Sequence, residues 1–274
     1  MTLLVAWAGI DTHGPASIYL ASDSRISWRR AAHFDYGRKV FAFNRWPDIL
    51  GYCGDVLFPS IVLNQIVDLA DAGLLFAQSF SCKQKFQAIV DKLNDLVEPY
   101  PHFQSGLADN ELYIIHASRD PDDNHKFFCH TISWSFKDKW RGEEKPLPKT
   151  SGVLLSLGTG AIEFDRNYTR YAAGPNRDTS RNVFHCFCDT VDQIQTPSVG
   201  GAPQLVGIYR KPTSTAFTSG VVYNGKRYFL GAHVDNLRGF DLIEWRNSNF
   251  ERCDGRTMKR LPDAQLQPDP LRRL

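Results

Sequence analysis

Thr2 is the residue of this sequence whose type and position best suit nucleophilic chemistry. It follows Met1 directly and precedes the apolar run at 3–8. Removal of Met1 would leave a threonine that carries both a hydroxyl nucleophile and a free α-amine, which can act as its base. The reference pKa of an α-amine is about 8, so part of it can accept a proton near neutral pH. A small second residue suits methionine aminopeptidase, so we expect Met1 to be removed without a propeptide.

Four further residues could support this nucleophile. As an ammonium, Lys39 would favour the deprotonated forms of its neighbours, and Asp23 would hold that lysine charged and oriented. The backbone N–H of Gly54, at the start of a predicted helix, could stabilise an oxyanion. The hydroxyl of Thr159 could hydrogen-bond the amine end of Thr2. Each residue also has an ordinary structural explanation, such as a turn cap, a solvated charge, a helix-start glycine or an N-cap.

Hydrophobic periodicity predicts the elements that must position these residues. Residues 2–9 and 17–22 form a predicted β-hairpin, and short strands follow at 40–43 and 49–52. Helices are predicted at about 55–70 and 82–97, and a second helix pair after Gly160 and at 179–194. Residues 136–150 are charged and contain prolines, which predicts a surface excursion. The order of strands, two helices, strands, two helices and strands predicts an α+β fold, a four-layer αββα sandwich of two antiparallel sheets flanked by helix pairs.

Several short motifs along this order resemble those of one enzyme family. They are Leu20-Ala21-Ser22-Asp23-Ser24-Arg25, a lysine sixteen residues after Asp23, the small-residue turn Gly51-Tyr52-Cys53-Gly54, Leu157-Gly158-Thr159-Gly160, and Val199-Gly200-Gly201 before a strand. Together they resemble the proteasome β-subunit branch of the N-terminal nucleophile (Ntn) hydrolases, as a divergent bacterial-type member. The resemblance implies acyl transfer to Thr2 and hydrolysis by water, with peptide bonds as substrate.

The sequence departs from that family before Gly200. Val199 stands where the family has serine, and Thr196 stands where it has aspartate. Asp192 could take the role of that aspartate if the loop is shifted. Gly51, near the position that shapes the first specificity pocket in relatives, suggests an open pocket.

Composition restricts the remaining possibilities. The 274 residues carry a net charge of +2 and are 42% hydrophobic, which predicts a globular protein with neither nucleic acid nor membrane as a partner. Without an export signal, the six cysteines are interpreted as reduced thiols of a cytoplasmic protein. No cysteine or histidine spacing suits zinc, so neither metal nor cofactor is expected. We expect one Ntn-hydrolase-like domain at 1–235 and a partly disordered C-terminal extension at 236–274.

Three functions remain open. The first is a threonine peptidase that acts on peptides or unfolded proteins, as a homo-oligomeric compartment; whether an ATPase is its partner is left open by the sequence. The second is an Ntn amidohydrolase that acts on a small amide. The third is a non-catalytic proteasome-like scaffold or binding protein.

Overall fold

Two β-sheets pack face to face, and a pair of helices covers the outer face of each sheet. The computed structural model describes residues 2–28, 32–211, 214–235 and 238–264. One apolar core lies between the two sheets. A second lies between the smaller sheet and its helices, and a third lies between the larger sheet and its helices. The four-layer αββα architecture predicted from the sequence is therefore confirmed.

The larger sheet is built around the β1–β2 hairpin. Its nine strands are β1 (Leu4–Asp11), β2 (Gly14–Ser22), β10 (Gly152–Leu157), β11 (Gln204–Tyr209), β12 (Phe217–Tyr223), β13 (Lys226–Phe229), β14 (Ala232–His233), β15 (Trp245–Asn247) and β16 (Arg252–Cys253). Seven of them follow the order β10-β1-β2-β11-β12-β13-β14. Strand β15 pairs with the second half of β12 and runs parallel to it, unlike the other pairs, and β16 pairs with β15.

The smaller sheet has five antiparallel strands in sequence order. They are β5 (Val40–Ala42), β6 (Asp48–Gly54), β7 (Leu112–Arg119), β8 (Phe127–Ser135) and β9 (Lys139–Glu144). A separate hairpin is formed by β3 (Ile26–Trp28) and β4 (Ala32–Phe34). The prediction of a surface excursion over 136–150 was wrong for β9. β9 is an exposed edge strand held mainly by backbone pairing. Its side chains therefore show no apolar pattern from which a strand could be predicted.

The four longer helices follow the predicted pattern closely, whereas a short helix at His102–Ser105 was not predicted. The helices are α1 (Leu57–Asp71), α2 (Cys82–Val97), α3 (His102–Ser105), α4 (Ala161–Ala172) and α5 (Ser180–Gln193). A capping box between Ser81 and Gln84 fixes the start of α2, which has the predicted bounds. The prediction that Gly54 opens a helix was wrong, because Gly54 ends β6 and α1 begins three residues later. No helix in the described part of the chain is long and apolar enough to cross a membrane.

Strand β1 shows why the apolar run after Thr2 is continuous. Successive side chains of a strand point to opposite faces of its sheet. Val5 and Trp7 therefore pack in the core beneath α4 and α5, whereas Leu4 and Ala6 pack in the core between the sheets. Because both faces are buried, the strand reads as an uninterrupted hydrophobic segment rather than an alternating one.

The chain beyond residue 235 contributes to the larger sheet where it is described. Trp245 is 2% exposed and packs with Phe240 and Cys253 in a small core of its own. A bridge between Cys253 and Arg260 continues the pairing. The predicted domain boundary at 235 stays a prediction, and residues 265–274 of the predicted disordered tail lie outside the described residues.

A buried charged cluster ties α2 to the smaller sheet. Asp48, on β6, accepts hydrogen bonds from Lys85 Nζ at 2.5 Å and from His116 Nε2 at 2.9 Å. All three side chains are at most 1% exposed. Burial by itself would raise the pKa of Asp48, but the charges and hydrogen bonds of Lys85 and His116 outweigh it and hold that pKa below its ordinary value.

We expect Asp48→Asn to destabilise the fold by about 3–5 kcal/mol, because it leaves the buried Lys85 ammonium without its counter-charge. Urea unfolding at neutral pH measures this loss. The control Asp95→Asn removes the exposed Lys92–Asp95 pair on the same helix and should cost under about 1 kcal/mol. Since the folded-state pKa of Asp48 is lowered, its contribution should be present at neutral pH and disappear as the pH falls below about 4. Equal unfolding midpoints for the two variants would contradict the assigned role.

Candidate active site

Thr2, Asp23 and Lys39 meet at one end of the two sheets. Lys39 Nζ donates to Thr2 Oγ1 at 2.7 Å and to Asp23 Oδ1 at 2.9 Å. Asp23 and Lys39 are fully buried, and Thr2 is 1% exposed. A buried charge has to be paired to be tolerated, so the carboxylate fixes the ammonium, and the ammonium directs another N–H at the threonine hydroxyl.

The two sheets supply different members of this trio. Thr2 and Asp23 lie at matching ends of the β1–β2 hairpin, whose register pairs Leu4 with Ser22. Lys39 precedes β5 of the other sheet, and its backbone N–H donates to the buried Gln204 Oε1 at 3.0 Å. The amide of Gln204 in turn donates to the Asp23 carbonyl at 3.1 Å. Gln204, which the sequence did not single out, therefore joins the two sheets at the site.

The Asp23 carboxylate is satisfied on both oxygens. Oδ1 accepts from the Leu3 N–H at 3.0 Å in addition to Lys39, and Oδ2 accepts from the backbone N–H groups of Arg25 at 3.2 Å and Gly200 at 3.0 Å. Burial lowers the pKa of Lys39, and the Asp23 charge partly opposes that effect. The Lys39 amine therefore holds its proton less tightly than an exposed lysine does, and it lies against a hydroxyl.

The loop after β10 approaches the Thr2 backbone closely. The Gly160 N–H donates to the Thr2 carbonyl at 3.1 Å, and the Thr2 nitrogen lies 3.4 Å from Thr159 Oγ1. Gly158 has φ +92°, and a Cβ there would lie 2.2 Å from the Thr2 carbonyl oxygen. Only glycine allows this approach, which brings Thr159 next to the atom that Met1 removal would turn into an amine.

A second loop brings Ser198 into the site. Ser198 Oγ lies 2.8 Å from Thr159 Oγ1. Arg25 forms a two-point ion pair with Asp35 and donates to the carbonyls of Pro197 and Val199, each at 3.3 Å, which holds this loop in place. Sequence reasoning did not assign Ser198 to the site. Its position two residues before the Gly200-Gly201 pair was the available signal.

Gly54 lies at the end of β6, on a cavity of about 920 Å³ that Thr159 also lines. The cavity is bounded by the β3 strand, the segment joining β6 to α1, and the residues before β7. Gly54 has φ +102°, and a Cβ there would lie 2.1 Å from the Glu111 carbonyl oxygen. The chain therefore leaves the strand beside the cavity in a turn that favours glycine.

Two expectations about neighbouring residues were wrong. Asp192 does not approach Thr2, because its carboxylate accepts from Tyr223 Oη at 2.5 Å and from Asn224 Nδ2 at 3.1 Å. Gly51 does not open onto the cavity. A Cβ there would lie 3.0 Å from Leu4 Cδ1, in the core between the sheets. The small residue serves the packing of the two sheets, not the width of a pocket.

Solved Anbu (ancestral beta-subunit) structures share this fold. The chain aligns with Anbu from Yersinia bercovieri at a TM-score of 0.53 and 11% identity, over 79% of this chain and 86% of that one. The helical assembly of the Anbu complex from Pseudomonas aeruginosa gives 0.56 and 13%, over 82% and 86%. A Gly-1 mutant of Anbu from Hyphomicrobium sp. strain MC1 gives 0.53 and 13%, over 85% and 89%.

At these identities the likeness concerns the fold alone, and it agrees with the four-layer αββα sandwich predicted from the sequence. No protein-family model and no curated protein matches the sequence.

We expect Gly158→Ala to destabilise the protein more than Gly73→Ala. Both glycines have positive φ, at +92° and +76°, but a Cβ at Gly73 has nothing within 4 Å. Gly73→Ala should therefore lose about 1–2 kcal/mol for its backbone conformation alone. Gly158→Ala adds the collision with the Thr2 carbonyl, and we expect at least twice that loss in urea unfolding. Equal losses would show that the β10 loop can move away from Thr2 freely.

Proposed function

We propose that this chain is an N-terminal threonine hydrolase of the peptidase type, with Thr2 as its nucleophile after removal of Met1. The observation that carries the proposal is the 2.7 Å contact between Thr2 Oγ1 and Lys39 Nζ, with Lys39 held by Asp23 at 2.9 Å. A buried ion pair aimed at a hydroxyl beside a large cavity is costly to build and has an evident chemical use.

In the acylation step, Thr2 Oγ attacks the carbonyl carbon of the substrate amide. The proton of the hydroxyl passes to the Thr2 α-amine, directly or through a water molecule. The new C–O bond forms a tetrahedral intermediate. The C–N bond then breaks, and the leaving nitrogen takes the proton from the α-amine. The products are an ester on Thr2 and a free amine.

In the deacylation step, water attacks the ester and the α-amine again accepts a proton. The C–O bond to Thr2 then breaks, the α-amine returns its proton to Thr2 Oγ, and the carboxylic acid leaves. The Lys39 charge would favour the alkoxide character that develops on Thr2 Oγ in both steps, and Asp23 would keep that charge in place. The Gly54 N–H is our candidate for stabilising the oxyanion, because Gly54 borders the same cavity as Thr159.

The cavity supports a substrate larger than a simple amide. Its volume of about 920 Å³ is at the upper end of the usual range for ligand sites. Trp28 and Leu57 on its border are 56% and 53% exposed, so they offer apolar surface to a peptide side chain. We therefore favour peptide bonds as the substrate over small acyl-amides.

We expect a β-lactone probe to acylate the wild-type protein at Thr2 and to leave Thr2→Ala unlabelled. Thr2→Ser keeps a hydroxyl and should be labelled. The labelling rate of Lys39→Ala should be at least about 100-fold lower, because the cation next to the hydroxyl is lost. Intact-mass measurement followed by peptide mapping gives both the rate and the site. The same spectra report whether Met1 has been removed.

Lys92→Ala is the matched control, since Lys92 lies on the exposed side of α2 and should not alter the rate. Labelling that persists in Thr2→Ala, or retention of Met1 in protein from its own host, would contradict the proposal. Cleavage of simple acyl-amides without cleavage of fluorogenic peptides would instead assign the same nucleophile to a small-amide hydrolase.

We also propose that the chain forms a homo-oligomer. The Anbu complex from Pseudomonas aeruginosa, which shares the fold, forms a helical assembly. On α1, Leu57 and Ile61 are 53% and 48% exposed, and they lie one turn apart on the same face. Apolar side chains repeated along one face of a helix are typical of subunit contacts.

We expect size-exclusion chromatography with light scattering to give a mass of two or more times the subunit mass of 31.1 kDa. Ile61→Lys should shift the protein towards the monomer, because it places a charge on the proposed contact. Lys83→Glu on α2 is a control for a change of surface charge and should leave the mass unchanged. A strictly monomeric wild-type protein at micromolar concentration would contradict the oligomer.

A further inference from the structure

We infer that the cavity beside Thr2 takes a cationic side chain of the substrate peptide, lysine or arginine, and that Asp55 is the residue that selects it. This inference rests on the proposed function and names the substrate class of the same site. Asp55 lines the cavity directly after Gly54 and is only 8% exposed. Folding has therefore taken this carboxylate almost entirely out of bulk water.

Asp55 differs from the two other buried aspartates of the described chain in what it pairs with. Asp23 is bound by Lys39 at 2.9 Å. Asp48 is bound by Lys85 at 2.5 Å. Within the described residues, no lysine, arginine or histidine forms an ion pair with Asp55. Because a buried carboxylate is normally paired with a cation, the position next to Asp55 suits a cation that a ligand supplies.

The hydrogen bond that Asp55 does accept does not require a charge. The Phe58 N–H, in the first turn of α1, donates to Asp55 Oδ2 at 3.1 Å. Asparagine caps a helix about as well as aspartate does, so capping explains a polar residue here but not a carboxylate.

The pKa of Asp55 reports its surroundings. Burial raises that pKa, whereas the backbone N–H groups that follow Asp55 and the charge of the chain's amino terminus lower it. The carboxylate is therefore within electrostatic reach of an ammonium group. A substrate cation would stabilise its charged form in the same way.

The rest of the cavity suits a lysine or arginine side chain. The described lining residues include two further carboxylates, Asp109 and Glu111, and no basic side chain. Both are exposed, so they add negative potential on the solvent side of the cavity. Trp28 and Leu57 add apolar surface to its border. Lysine and arginine combine an apolar stem with a charged end, which matches apolar walls around a buried carboxylate.

The selected side chain belongs close to the bond that is cleaved. Gly54, our candidate for stabilising the oxyanion, immediately precedes Asp55. Both border the cavity together with Thr159, whose Oγ1 lies 3.4 Å from the Thr2 nitrogen. We therefore assign the cationic side chain to the residue that supplies the attacked carbonyl, so that peptides are cleaved after lysine or arginine.

The test compares kcat/KM for two fluorogenic peptides that differ only in the residue before the scissile bond, which is lysine or norleucine. Norleucine has the stem of lysine without its charge. The wild type should prefer the lysine peptide at least about tenfold, as expected for a hydrogen bond to a charged group. Asp55→Asn keeps an acceptor for the Phe58 N–H and should bring the ratio of the two kcat/KM values to about one, by lowering that of the lysine peptide.

Asp95→Asn is the control, because it removes an exposed carboxylate of α2 and should leave the ratio at its wild-type value. Protection of wild-type Thr2 from the β-lactone gives the same comparison without a variant. The lysine peptide should protect at a concentration at least about tenfold lower than the norleucine peptide does.

A ratio near one in the wild type would overturn the inference, and so would an Asp55→Asn ratio equal to that of the wild type. An unchanged ratio with equal losses on both peptides would assign Asp55 to the Thr2 amine instead. In these cases β-lactone labelling of wild-type Thr2 would still stand. A wild type that is not labelled would remove the proposed function and this inference together.

Discussion

The buried ion pair between Lys39 and Asp23 is the interaction on which the rest of the site depends. Neither charge is exposed, so each requires the other and the hydrogen bonds around it. Those bonds come from the start of β1, the residues after β2 and the Gly200 loop. With the segment before β5 that carries Lys39, the pair therefore holds four separate stretches of chain in place relative to one another. An apolar pair of similar volume would cost less free energy to bury than these two charges.

The sandwich explains how that pair can exist. The two sheets pack face to face, and the strand ends next to Thr2 and Asp23 in one sheet lie opposite the strand end next to Lys39 in the other. Gln204 crosses between the two sheets by bonding the backbone of Lys39 and of Asp23. The strand ends thus hold these three residues, whereas the cavity beside them is lined by β3, the end of β6, the start of α1 and the loops before β7 and after β10.

A second buried cation, Lys85, shows how differently a similar interaction can be used. It pairs with Asp48 between α2 and the smaller sheet, with His116 as the third member. All three groups are at most 1% exposed. Lys39, in contrast, directs an N–H at a hydroxyl beside the glycine-rich β10 loop. Burial and pairing alone therefore do not distinguish the two lysines; the Thr2 hydroxyl beside Lys39 does.

The sequence by itself determined the layers, most element types and the trio Thr2, Asp23 and Lys39, because hydrophobic periodicity and short motifs report local structure. The sequence did not predict β9, because the exposed edge position of this strand removes the apolar pattern. It also misplaced the start of α1, because a glycine such as Gly54 suits both a strand end and a helix start. Only the tertiary structure decided that Ser198 and Gln204 belong to the site and that Asp192 does not. Ser198 and Gln204 lie more than 150 residues beyond Lys39, and their contacts depend on how the two sheets and the Gly200 loop pack, which no local pattern encodes.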